Sequence, residues 1–350
     1  MTNKGYFHRV SALSPTKLWI NNVTVEEART AIDAGAVGCT QNPTYTWRIL
    51  SKSSEATHAA DIARGLLQAT KDDNEVVIRL QRQLVFAVAQ VFLPLWESSG
   101  GKLGYVSIQG DPFQEEEDAI IEHARASRKG GPPNIMCKIP ATANGIKAIE
   151  VLAAEGVPLN ATEVMAVRQA LDVCETWAKA VSKMDNPPPS YYSHIAGIYD
   201  EYLKDYVVRH SIDVSADALA QAGLAVARKC YCMTKSRWPD MGFIAGGARG
   251  LHHFTEMVGA DVCITINWAG TADKLIERDE PVVWRFYNPI ADYVLDELLQ
   301  KVEDFRRAWQ VNAIESEEYE KFGPVVYFRK AFEQAWDSAR KRIGELRAQM

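Results

Sequence analysis

From about residue 17 to residue 265, eight short apolar runs with strand chemistry alternate with longer segments of helical period. Strands joined through a helix must run parallel, and parallel sheets bury both faces. The runs expected as strands are Lys17–Asn21, Val37–Asn42, Leu103–Gln109, Asn134–Ile139, Val157–Asn160, Tyr191–Ile195, Gly242–Gly246 and Val262–Thr265. Each is followed by a helix candidate, for example Val23–Gly35 or Asn144–Glu155. Eight such units in one order predict closure into an α/β fold, a (β/α)8 or TIM barrel. An open doubly wound sheet would carry a glycine-rich turn after its first strand, but Asn21-Asn22-Val23-Thr24 stands there. Past residue 285 the pattern becomes wholly helical, with Ala291–Trp309 and Val325–Ile343 expected to pack on the barrel. The expected layout is one domain over residues 1–350, with a barrel at about 17–285 and additional C-terminal helices at about 286–350. Lys183–Ser190, with three successive prolines, reads as a stiff loop before the sixth strand.

Composition narrows the partners. The 350 residues are 47% hydrophobic and 24% charged with a net charge of −6, and no run of like charge marks a nucleic-acid tail. The greasiest stretch, Leu84–Trp96, holds Gln90 and Pro94 and is too short to span a bilayer, so a core helix and no membrane partner are expected. Six scattered cysteines and an amino-terminal stretch, Met1 to Ser11, without a secretion signal point to reduced thiols in the cytoplasm. A small-molecule ligand is the expected partner. A homo-oligomer is compatible with the sequence, which carries no signal for one.

Chemistry in a parallel barrel sits at the carboxyl ends of the strands. In Asn134-Ile135-Met136-Cys137-Lys138-Ile139-Pro140, period two sends Ile135, Cys137 and Ile139 toward the helices and Asn134, Met136 and Lys138 into the lumen. Desolvation lowers the pKa of a buried ammonium, so Lys138 becomes a candidate nucleophile for a carbonyl carbon. The plainer reading is a lysine paired inside the barrel or reaching its rim. The same parity brings Asn21, Thr40, Asn42, Ser107, Gln109, Asn160 and Thr162 to this end, all uncharged. Tyr191 and Ser193 share a face on the sixth strand, and Tyr191 is either a proton-relaying phenol or a core tyrosine. Gly246-Gly247-Ala248-Arg249-Gly250 opens a helix after the seventh strand and offers amides and a guanidinium to an anion. Other signals fail. Gly101-Lys102 lacks the flanking residues of a phosphate-binding loop. His252 and His253 should point about 100° apart on a helix, Cys230 and Cys232 diverge likewise, and no metal site is expected.

With Lys138 in Asn134-Ile135-Met136-Cys137-Lys138-Ile139-Pro140-Ala141-Thr142, the chain resembles the transaldolase family of Schiff-base aldolases. Gly38-Cys39-Thr40-Gln41-Asn42-Pro43-Thr44, Gly104-Tyr105-Val106-Ser107-Ile108-Gln109 and Glu155-Gly156-Val157-Pro158-Leu159-Asn160-Ala161-Thr162 match the family's motifs in order and spacing, and Phe322-Gly323-Pro324 through Trp336 resembles the helical end of longer members. The resemblance implies that Lys138 attacks a ketose carbonyl and holds a dihydroxyacetone unit as an enamine, with no cofactor. It also implies that Gln109, Thr162 and Tyr191 hold the catalytic water, as in the fructose-6-phosphate aldolase branch. Asn42 and Asn160, with Thr40 and Ser107, would contact the donor, Asn21 the reacting carbinol, and Ser193, His194 and Arg249 a distal anion. The chain departs from the family at Asn21, where an aspartate is usual, and at His194, where an arginine usually grips phosphate. The expected function is therefore transfer or cleavage of a dihydroxyacetone-type unit of a sugar or sugar phosphate. The rival readings are a sugar-binding protein that lost turnover at Asn21 and a Schiff-base isomerase or epimerase.

Overall fold

The computed structural model describes residues 5–350. Eight parallel strands close in chain order: β1 (Lys17–Asn21), β2 (Ala36–Gln41), β3 (Val106–Gln109), β4 (Ile135–Pro140), β5 (Leu159–Val164), β6 (Tyr191–His194), β7 (Gly242–Ala245) and β8 (Cys263–Asn267), with β8 returning to β1. The expected TIM barrel with added C-terminal helices is the architecture observed.

Boundaries differ where backbone chemistry overrides the apolar pattern. β3 begins at Val106 rather than Leu103 because Gly104 takes a positive φ of 78° and sits tight against the helix Asp73–Ser98. A Cβ there would lie 2.6 Å from the Trp96 nitrogen. β5 starts at Leu159 and runs on to Val164, past the expected end at Asn160. The helix expected over Ala291–Trp309 is two helices, Asp292–Lys301 and Glu303–Trp309, broken where buried Val302 adopts φ −114° and ψ 105°.

Two apolar regions hold the molecule. The larger fills the space between strands and helices. The smaller, Trp19, Tyr105, Met136, Ile244 and Cys263, plugs the lower half of the lumen. Gly38 makes room for this plug, because a Cβ on it would meet the Trp19 ring at 2.3 Å. With the bottom filled by apolar rings, polar lumen residues are confined to the carboxyl end. Asn134 does not join the lumen face expected of it: its amide donates to the carbonyls of Ala89 and Gly104 at 2.9 and 2.8 Å, below the barrel.

The helix Asp73–Ser98 contains the Leu84–Trp96 stretch and is long and apolar enough to cross a membrane, yet it packs on β2, β3 and neighbouring helices. The C-terminal helix Gly323–Ala348 lies against it and against Thr44–Lys52, Ala56–Leu67 and Ala196–Arg209. Trp336, fully buried, fixes this contact by donating its indole N–H to the Asn74 side chain at 2.8 Å.

Candidate active site

The sheet register places Lys138 between Gln109 of β3 and Asn160 of β5. Its side chain is 6% exposed and lines a cleft of about 390 Å³ at the carboxyl end of the barrel. That volume suits a small ligand. Lys138 makes no hydrogen bond or ion pair among the described residues, and burial pushes its ammonium down to about 8, against a weaker opposing pull from Glu163. A neutral amine is therefore far more abundant near neutral pH than on an ordinary lysine.

Around the amine stand neutral hydrogen-bonding groups. The Thr40 hydroxyl donates to Asn21 Oδ1 at 2.9 Å and lies 2.7 Å from the Thr265 hydroxyl, while Asn21 Nδ2 donates to Asn267 Oδ1 at 2.9 Å. Asn42 Oδ1 accepts from Asn22 Nδ2 and from the Thr44 amide and hydroxyl, so only its Nδ2 remains for a ligand. The Ser193 hydroxyl donates to Asn160 Oδ1 at 2.7 Å. Asn160 Nδ2, Thr162 Oγ1, Ser107 Oγ and Gln109 Oε1 are buried without hydrogen-bond partners among the described residues. Unsatisfied groups gathered around one amine are a feature of sites that complete their hydrogen bonds with a ligand.

Asn21, Thr40, Asn42, Lys138, Ser193 and Arg249 share the main cleft. Gln109 is absent from this cleft and shares with Lys138 a separate cavity of about 20 Å³ lined also by Cys137, Ile139, Ile120 and Ala124, while Ser107, Asn160 and Thr162 are buried.

Two expected members stand elsewhere. Tyr191 is the first residue of β6 and packs on the lower plug, its ring centroid 5.3 Å from that of Trp19, so it does not reach the cleft. His194 faces the helices, fully buried beside Tyr199 with neither ring nitrogen bonded, and burial pushes it down to about 3. It cannot supply the second charge of an anion site. Arg249 is at the cleft mouth but its Nε donates to Glu201 at 2.7 Å, and the loop before it does not open directly into a helix, since the next helix is the four residues His252–Thr255.

The rings of His252 and His253 do not diverge as expected: that short helix brings their centroids to 4.0 Å at a tilt of 41°, and with Asp200 their ligand atoms lie within 4.8 Å of one another. Asp200 is already engaged by His253 Nε2 at 3.0 Å and the Gly223 amide at 2.6 Å, and the Lys204 charge opposes a cation beside His252.

Two features escaped the sequence. Phe328, Ala331 and Phe332 of the C-terminal helix wall the cleft, and Glu163, fully buried, accepts from Gln109 Nε2 at 3.0 Å. An acidic residue directly after Asn160-Ala161-Thr162 was the available sign of the second.

Fold and site together define a parallel (β/α)8 barrel with a desolvated amine on its fourth strand. A family model described as transaldolase/fructose-6-phosphate aldolase matches residues 18–337, and the chain belongs to that family. The transaldolases of Mycobacterium bovis and Mycobacterium tuberculosis are 28% identical to it over 242 residues, 64% of this chain and 63% of theirs. That of Helicobacter pylori is 27% identical over 203 residues, 57% of this chain and 58% of its own length. The matched stretch is thus under two thirds of each relative.

Proposed function

We propose that the chain is a cofactor-free aldolase or aldol transferase that forms a Schiff base between Lys138 and the carbonyl of a ketose or ketose phosphate. The observation that carries this reading is an amine held near pKa 8, unpaired, in a cleft whose other lining at that level is neutral and hydrogen-bonding. Attack by the amine followed by loss of water gives an iminium, which accepts the electron pair when the bond beyond the neighbouring carbinol breaks. Asn160 and Asn42 would hold donor hydroxyls, and Asn21 would bond the reacting carbinol. Thr162 and Gln109 would hold a water for proton transfer, without Tyr191. Membership of the transaldolase family supports the same chemistry and a dihydroxyacetone-type donor.

The anion end favours substrates without phosphate, because Arg249 is engaged by Glu201 and His194 is turned away. A cytoplasmic setting fits six cysteines that are all free, five of them buried.

Borohydride reduction in the presence of dihydroxyacetone, fructose or fructose 6-phosphate tests the reading. The expected product is a reduced adduct on the peptide carrying Lys138, absent from Lys138→Met. Failure of every ketose to leave an adduct refutes it.

A further inference from the structure

A Schiff base holds a positive charge, and the lumen side chains level with Lys138 are uncharged. Among the described residues, the carboxyl whose field acts on the amine is that of Glu163.

Glu163 follows Thr162 on β5, where strict alternation would send its side chain outward among the helices. Instead the residue takes a positive φ of 62°, and the β5–β6 register shifts between Ala161 and Val164. A side chain in this left-handed conformation is disfavoured and persists only when its surroundings enforce it. Buried Gln169 does so: its Nε2 donates to the carbonyls of Glu163 and Ala141 at 3.3 and 2.9 Å, while its Oε1 accepts from the amides of Met165 and Ala166. The bulge delivers a carboxyl that is fully buried. Its Oε1 is bonded to Gln109, the strand neighbour of Lys138, and its Oε2 has no hydrogen-bond partner. Arg329 of the C-terminal helix stands 4.0 Å from Oε2 and turns its Nη2 toward Glu115 at 3.0 Å. A small cavity of about 20 Å³, room for one water, is bordered by Lys138, Gln109 and Glu115 together with helix-facing Cys137 and Ile139 and with Ile120; Glu163 does not line it and connects to it through its bond to Gln109.

We propose that Glu163 is the proton carrier and counter-ion of Lys138. The role deepens the Schiff-base reading and rests on it. The Lys138 ammonium gives a proton, through a bridging water, to the Glu163 carboxylate, and the neutral amine adds to the ketose carbonyl. The acid returns that proton to the carbinolamine hydroxyl, the C–O bond breaks, and water leaves. Ammonium plus ketone thus becomes iminium plus water, with the carboxylate regenerated opposite the new charge. Burial raises the carboxyl and lowers the amine, bringing their proton affinities together. The charged groups facing Glu163 are Arg329, which opposes its protonation, Lys138, and Glu333 and Glu115, which favour it.

Two measurements on the full chain carrying Glu163→Gln or Glu163→Asp test this. The first needs no ketose: reductive methylation of Lys138 against pH, followed by mass spectrometry. Glu163→Gln should lower the midpoint by about half a pH unit or more as the counter-charge goes. The second is the rate of borohydride trapping with dihydroxyacetone, which should fall about 100-fold in Glu163→Gln and recover in part in Glu163→Asp. An unmoved midpoint, or trapping within about threefold of the parent, overturns the assignment. If Glu163→Gln does not fold, Glu163→Asn, whose side chain tolerates this backbone, replaces it in both arms. A shifted midpoint without any ketose adduct on the parent would refute the Schiff-base reading and the proton relay, leaving only a buried counter-charge.

Discussion

Lys138 should be a burden on stability, and the size of that burden follows from its environment. An ordinary lysine titrates near 10.5 and Lys138 near 8, a difference worth about 3 kcal/mol. The unfolded chain holds the proton up to the higher value and the folded chain releases it at the lower one. Between pH 8 and 10.5 the unfolded state therefore binds more protons, and the parent's stability rises with pH across that window. Below pH 8 both states are protonated and the whole penalty of burying the ammonium is present. Lys138→Met removes the titration and keeps an unbranched apolar stem. The variant should thus be more stable than the parent by about 3 kcal/mol at pH 7, with the advantage fading toward pH 10.5. For 350 residues the unfolding entropy is about 0.7 kcal/mol per kelvin, so the rise in Tm is about 4 °C. Calorimetry of both proteins at pH 7 and pH 10 decides it. A variant no more stable at pH 7, or an advantage unchanged at pH 10, would show that the amine is not desolvated as described.

Two further outcomes follow from the cleft walls. Glu201→Gln frees the Arg249 guanidinium, and the KM for a phosphorylated ketose should fall about two- to fivefold, the range of an exposed ion pair, while that for the unphosphorylated ketose stays put. Trp336→Ala removes a fully buried ring and its bond to Asn74; it should destabilise by about 3–5 kcal/mol in urea titration, with KM raised because the helix bearing Phe328 and Phe332 loosens.

The barrel could be read because alternation of apolar runs and helical periods is a local property, and the inward face of β4 followed from period two alone. That was enough to single out Lys138. Period two assigns a face but not a depth, which is why Tyr191 shares the lumen with Ser193 yet rests on Trp19 in the lower tier. His194 was linked to the anion site by its counterpart in related sequences, whereas its parity on β6 sends it to the helices. Glu163 breaks the alternation through one left-handed residue, and nothing in a glutamate announces a positive φ. Likewise, helical period in Val325–Ile343 predicts packing on the barrel but not that the helix there, Gly323–Ala348, crosses to wall the cleft.

The plug of Trp19, Tyr105 and Met136 makes the barrel a cul-de-sac. Whatever enters toward Lys138 must leave by the same doorway, so in the proposed reaction the first aldehyde has to depart before an acceptor can approach the retained fragment. Traffic of that kind runs in alternation, and water queues at the same door as the acceptor. The balance between transfer and simple cleavage is then decided at the threshold, by how fast the acceptor arrives, and not at the amine.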